Sequence, residues 1–175
     1  KAKPKDNDKD LQENLLFTQE ETSENSKKIK MSITEDFISK HEEQAIIDAI
    51  NTAENKTSGE IRVHIEEHSD LEVLEGTREV FVLLEMHKTN ARNGVLFYIG
   101  VRDKSFAIFG DNGINNVVPD DFWIGTKDVV IDHFKQQKFK EGLVAGILRA
   151  GEQLQKFFPI QEDDTNELSN EISRG

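Results

Sequence analysis

Cysteine is absent from these 175 residues, which excludes disulfides, thiolate metal ligands and a cysteine nucleophile. That lack fits a reducing compartment, and a cytoplasmic location is expected. No stretch approaches the roughly 20 consecutive apolar residues a membrane helix requires, so no membrane segment is expected in this chain. The start has no secretory apolar region either, its first apolar cluster being only Leu15-Leu16-Phe17. Positive charge is not in excess. With 34 acids against 22 Lys and Arg, the formal net charge is −12. This argues against a nucleic-acid partner, which needs Lys/Arg clusters to displace counterions. The patterns G-x-x-x-x-G-K-[ST], G-x-G-x-x-G and G-x-S-x-G do not occur, which removes the common phosphate loops and the hydrolase nucleophile turn.

What remains divides into three parts. Residues 1–30 are polar, without helical or strand period, and are expected to be disordered, as a leader or an added sequence ahead of Met31. Residues 32–159 form one expected domain. Residues 160–175, after the helix-stopping Pro159, read as a second disordered, acidic tail. The domain alternates in period. Thr34 is placed to cap a helix with Phe37, Ile38, Ala45, Ile46, Ala49, Ile50 and Ala53 on one stripe. Residues 60–66 alternate as a half-buried strand, with Ile61, Val63 and Ile65 on one face and Arg62, His64 and Glu66 on the other. A helix follows over about 72–87, then a continuous apolar run over 95–101 typical of a central strand. Asp103-Lys104 turns the chain into an antiparallel partner over 105–109, and helices cover about 120–136 and 140–158. Such an order predicts an α/β protein, a mixed sheet sandwiched by helices with its first two strands parallel.

Two motifs imitate metal sites and fail on context. His64-Ile65-Glu66-Glu67-His68 matches H-x-x-E-H, but that chemistry needs a helix, and the strand alternation spreads the two histidines about 13 Å apart. Solvated strand-face residues are the expected reading. Asp6-Asn7-Asp8-Lys9-Asp10 opens like an EF-hand loop, yet Leu11 and Phe17 stand where that loop needs Gly and Glu. More informative are Arg92-Asn93-Gly94-Val95-Leu96-Phe97-Tyr98-Ile99 and Asp103-Lys104-Ser105-Phe106-Ala107-Ile108-Phe109-Gly110-Asp111-Asn112-Gly113-Ile114. They describe a buried hairpin flanked by loops whose Gly110 and Gly113 permit close backbone approach, so that Asp111, Asn112 and loop carbonyls offer hard oxygen ligands. The same residues make ordinary turns, for local reasons. Glu60 starts the first strand beside Gly59, where it either reaches this cleft or stays a surface acid. Asp120 and Asp121 follow Pro119 and serve equally well as ligands or as helix-capping acids.

Taken in order with Asp121-Phe122-Trp123 and Phe139-Lys140-Glu141-Gly142-Leu143, these segments resemble the TPM domain, above all its small stand-alone bacterial members. The family is named after a thylakoid-lumen phosphatase-like protein, a photosystem II repair protein and an acetylcholine-receptor modulator. The resemblance spans about residues 57–159. It implies an α/β/α sandwich with a cleft at loops bordering the sheet, Ca²⁺ binding, and an acid phosphatase activity proposed for plant members. Carried over, Asn93 and Gly94 match the family's N-G, Asp103 its hairpin acid, and Gly110, Asp111 and Gly113 its G-D-x-G loop. Arg92 stands where many members have Asp, which removes one ligand. The expected function is a monomeric Ca²⁺-binding module, with Mg²⁺ as the other candidate ion, that acts through a protein partner. The expected metal set is Asp111, then Asp103, Asp120 and Asp121, with Asn93, Gly110, Asn112 and Glu60. The alternative is a metal-dependent phosphatase acting on phosphomonoesters, for which no nucleophile and base are identified.

Overall fold

The structure, a computed structural model, describes residues 33–175. The segment expected to be disordered at 1–30, with its Asp6–Asp10 stretch, lies outside the described residues. The helix expected to start at Thr34 is two helices, α1 (Ile33–Phe37) and α2 (Lys40–Glu54). The break is made by Ser39. Its hydroxyl accepts from the Glu42 N–H at 3.3 Å, while its own N–H donates to Glu42 Oε2 at 3.0 Å. That reciprocal box satisfies two of the N–H groups a new helix leaves open. Thr34, the expected cap, is buried inside α1.

Then follow β1 (Glu60–Glu66), α3 (Val73–Leu83), a 3-10 turn (Met86–Lys88), β2 (Gly94–Gly100), β3 (Ser105–Gly110), α4 (Asn112–Asn115), α5 (Ile124–Lys135), α6 (Phe139–Leu154) and β4 (Ser173–Arg174). The helices are shorter than periodicity alone predicts. α3 stops where Glu85 takes a left-handed conformation at φ 56°, and α6 gives way to a turn that carries Phe158 back to Thr57 and Ser58. The sheet order is β3-β2-β1-β4. β1 is parallel to β2, with Glu60 beside Gly94 and Glu66 beside Gly100, and β2 and β3 form the expected antiparallel hairpin.

Strand alternation gives the sheet two different faces. Ile61, Val63, Ile65, Val95, Phe97, Ile99, Phe106 and Ile108 point to one side and pack under α2, α5 and α6. Each buried aliphatic or aromatic side chain there contributes about 1.5–3 kcal/mol by leaving water. α6 seats on α2 at Gly151, where an added Cβ would lie 2.8 Å from Ala53 Cα. On the other side Leu96, Tyr98 and Ala107 pack under α3 through Val73, Val80 and Phe81. Helix–sheet–helix layering is thus an α/β/α sandwich.

Residues 160–175 differ most from expectation. Rather than standing off as a tail, they run as a strap along the edge of β1. β4 pairs in parallel with His64 and Ile65, and Arg174 fastens it by donating to Thr34 O at 2.9 Å, Ile38 O at 3.0 Å and Glu43 Oε1 at 2.6 Å. Apolar content is too low there to announce order; backbone pairing and one guanidinium supply it.

Candidate cation site

Parallel pairing brings the starts of β1 and β2 together, and the end of α2 beside them. Glu60 is the first residue of β1, Asn93 immediately precedes β2, and Glu54 is the last residue of α2. The connection between Glu54 and Glu60 is braced from below. Thr57 Oγ1 donates to Phe158 O at 2.5 Å and accepts from the Gly59 N–H at 3.1 Å. A cleft of about 330 Å³ opens above, walled on one side by Asn51, Glu54, Asn55 and residues 57–60 and on the other by Ile160, Asp164, Thr165, Asn166 and Asn170 of the strap.

Its polar groups are unevenly satisfied. Glu60 is only 4% exposed; its Oε1 accepts the Glu167 N–H at 2.9 Å, but its Oε2 has no donor. Glu54 Oε1 is likewise buried without a donor. Asn93, 1% exposed, donates through Nδ2 to Ser58 O at 3.2 Å, while its Oδ1 is left unpartnered toward a neighbouring hollow that shares Ser58, Asp164 and Thr165 with the cleft. An unpaired buried acceptor costs about 1–3 kcal/mol; Glu54 and Glu60 avoid it only by sharing a proton, and the Asn93 oxygen lies apart, beside the adjoining hollow. The two carboxyl groups are within hydrogen-bonding reach, and burial first, then the Glu60 charge and that contact, push Glu54 up to about 9. Burial also raises Glu60. Two carboxylates offer each other no donor. Either a shared proton or a cation resolves the conflict.

The expected ligands divide among four places. Asp111 is buried and engaged: Arg92 Nε donates to its Oδ2 at 2.7 Å and Arg92 Nη2 to its Oδ1 at 2.8 Å, while the Asn112 N–H at 2.7 Å makes it the cap of α4. A guanidinium already holds the position of the expected metal. Gly110 O accepts from Asn115 Nδ2 at 2.8 Å, and exposed Asn112 is the first residue of α4. Asp103 lies at the far end of the hairpin, bound by His68 Nδ1 at 2.6 Å and the Ser69 N–H at 3.0 Å. The six residues of β3 lie between it and Asp111, about 20 Å at strand rise, so the two cannot share an ion. Asp120 and Asp121 are exposed in the turns before α5 and do not cap it, since Trp123 holds that position. Of the eight expected residues, Glu60 is the one that lines the cleft, and Asn93 lines the adjoining hollow. Glu54 and the strap acids went unread, although Glu54 and Glu60 flanking a Thr-Ser-Gly turn is a spacing that can oppose two carboxyls.

His64 corrects a second expectation. It sits on a strand, as the alternation predicts, but it is buried rather than solvated. Its ring stacks on Tyr98 at 5.9 Å and its Nδ1 meets Ser173 Oγ at 3.0 Å, and burial lowers its pKa. His68 is exposed beyond the strand, bonded to Asp103 and Asp70.

A family model for the TPM domain matches residues 32–153. This chain belongs to the TPM-domain family. Among solved structures, it is similar to the NMR structure of the BA42 protein from the psychrophilic bacterium Bizionia argentinensis. Identity is 50%, the TM-score 0.76, and the match covers 85% of this chain and 99% of that one. No curated protein matches. In this TPM domain no helix among the described residues is long and apolar enough to cross a membrane, and no three His, Asp or Glu side chains among them already form a metal-holding group. The pair Glu54–Glu60 nonetheless suits a hard cation in kind. It offers buried carboxylate oxygen without sulfur or a free imidazole, the donor type Ca²⁺ and Mg²⁺ prefer.

Proposed function

We propose that this TPM domain is a divalent-cation-binding module, with Ca²⁺ the favoured ion, acting through a protein partner rather than by turning over a substrate. The observation that carries this is the opposed pair of buried Glu60 and half-buried Glu54, two carboxyls that line one cleft and have only each other as partner for Glu60 Oε2 and Glu54 Oε1. Ca²⁺ takes six to eight oxygens at 2.3–2.6 Å. Glu54 and Glu60 would supply the charge, and Asp164 across the cleft with side-chain amide oxygens would complete the shell. Asp111 is not among the ligands, because Arg92 already neutralises it. The phosphatase alternative is weaker: a phosphate entering this cleft meets carboxylates, and Arg92, the cation expected to receive it, is held in two bonds to Asp111.

The test is calorimetric and NMR titration of metal-stripped protein with Ca²⁺ and separately with Mg²⁺. Saturable binding with shifts centred on Glu54, Glu60 and Asp164 is expected. Glu60→Gln should weaken Ca²⁺ about 30-fold, equivalent to about 2 kcal/mol, while Asp111→Asn leaves affinity intact. No binding at millimolar Ca²⁺ would sink the proposal.

A further inference from the structure

We infer that the strap, residues 160–175, is a latch whose docking is coupled to occupancy of the cleft, and that Arg174 positions it from the other end of β1. This rests on the cation reading above.

Glu60 is shared between two structures. One oxygen accepts the strap's Glu167 N–H at 2.9 Å, and the other is the unpartnered oxygen of the cleft. Glu167 in turn accepts the Asn90 N–H at 2.9 Å through Oε2. One wall of the cleft is therefore the strap itself, and any ion with ligands on both walls ties strap to body. Without the ion nothing joins the walls through Asp164, which lines the same cleft as Glu54 and Glu60, with Asp163 and Glu167 at the adjoining hollow.

Farther along, the strap is held by polar contacts on β1. Ser173 Oγ meets His64 Nδ1 at 3.0 Å, and the Gly175 N–H donates to Ile65 O at 3.1 Å. Its apolar anchors are the half-buried Leu168 and Ile172, packed against opposite cores. A segment with so little apolar burial belongs to the low-stability end of a fold and opens without global unfolding. Coupling between two such events is reciprocal: if the ion strengthens docking, whatever weakens docking weakens the ion by the same factor. Arg174 gives a handle on this. Its partners, Thr34 O, Ile38 O and Glu43, lie away from the cleft, and β4 pairs with His64 and Ile65 while the cleft sits at Glu60.

The experiment is amide hydrogen exchange of the wild-type chain with and without saturating Ca²⁺, paired with calorimetric Ca²⁺ affinity for wild type, Arg174→Ala and Arg174→Lys. Ca²⁺ is expected to slow exchange at Glu167 and at Gly175 together. Arg174→Ala is expected to lose about tenfold in affinity, within the usual range of coupling between sites, and Arg174→Lys to recover part of it. Wild-type affinity in Arg174→Ala, or Ca²⁺ binding that leaves the Gly175 amide unchanged, overturns the latch while the cation site stands. Absence of Ca²⁺ binding in wild type overturns the site, and the latch with it. The wild-type exchange arm decides even if the alanine variant folds poorly.

Discussion

On the side of the sheet under α2, α5 and α6, β1 presents Ile61, Val63 and Ile65, all fully buried. On the opposite side the same seven residues present Glu60, Arg62, His64 and Glu66, and the strap runs along the strand's edge beside them. The first side is closed by shape. Nothing polar on β1 is exposed there to be matched, and small residues let the helices approach to backbone contact. The second side is closed by pairs: Glu60 with the Glu167 amide, Arg62 in the field of Glu171, His64 with Ser173, Glu66 with the Tyr98 hydroxyl. Pairing is incomplete at Arg62 Nε and His64 Nε2 as well as at Glu60 Oε2 and Glu54 Oε1, and the two acids among these line the cleft. Packing thus closes β1 on one face, and polar pairs close it on the other.

If that division is right, the largest loss of stability should come from the apolar face. Gly151→Val puts branched carbon against Ala53 Cα, 2.8 Å from even an ideal Cβ. Backbone cannot yield cheaply there, and about 3 kcal/mol should be lost, a fall in Tm of about 8 °C. Ca²⁺ affinity of the folded fraction should not change. A matched loss of affinity, seen by calorimetry below Tm, would mean that the two faces are not independent.

An intermediate effect belongs to Asp111, which serves structure on this account. Asp111→Ala removes the cap of α4 and the partner of Arg92. The cap contributes about 1 kcal/mol, and Arg92 is 46% exposed, so its pairing adds only a few tenths. Thermal unfolding should drop by about 4 °C. Unchanged Ca²⁺ binding is the informative half; loss of binding without unfolding would return Asp111 to the ligand set.

These assignments show what was legible in the sequence. The alternation of Ile61, Val63 and Ile65 announced β1, the unbroken run 95–101 announced a strand covered on both sides, and the short Asp103-Lys104 turn required a hairpin. Each is a local pattern with a fixed period. The strap had no such pattern. Its contacts join residues 77 to 140 positions apart, from Glu167 and Asn90 to Arg174 and Thr34, through single polar groups. Composition marks such a stretch as a tail whether or not it docks. Asp111 was legible as a turn acid, but its geometry was not: Arg92 reaches it across the whole hairpin, 19 residues away, from a left-handed backbone at φ 50°. Ser39-x-x-Glu42 was the missed local signal, a capping box inside a longer apolar stripe.

A smaller effect concerns pH. Glu54 is raised from 4.5 to about 9 in the folded chain. The folded state therefore holds a proton that the unfolded state has released between those values, so its contribution to stability is complete below about 4.5 and is lost as pH rises through about 9. In metal-free buffer the Tm of wild type should decline over that window relative to Glu54→Gln, which has no proton to lose there and can donate its amide to Glu60. Parallel curves would mean that the carboxyl pair is ionised without penalty and the cleft is better hydrated than its burial suggests.

The smallest effect should be Tyr98→Phe, and it is the sharpest probe of the polar face. The Tyr98 hydroxyl donates to Glu66 Oε1, and its ring lies on His64, which reaches Ser173 of the strap. Phenylalanine keeps the ring and the stack and removes one hydrogen bond. Glu66 is 18% exposed, so water can replace the hydroxyl as its donor. About 1 kcal/mol should be lost, roughly 2–3 °C in Tm, with NMR shifts confined to His64, Glu66 and Ser173. A loss as large as that of Gly151→Val would make the polar face a determinant of the fold in its own right. The strap would then be part of the folding unit, its opening would require global unfolding, and a latch built from it could not work.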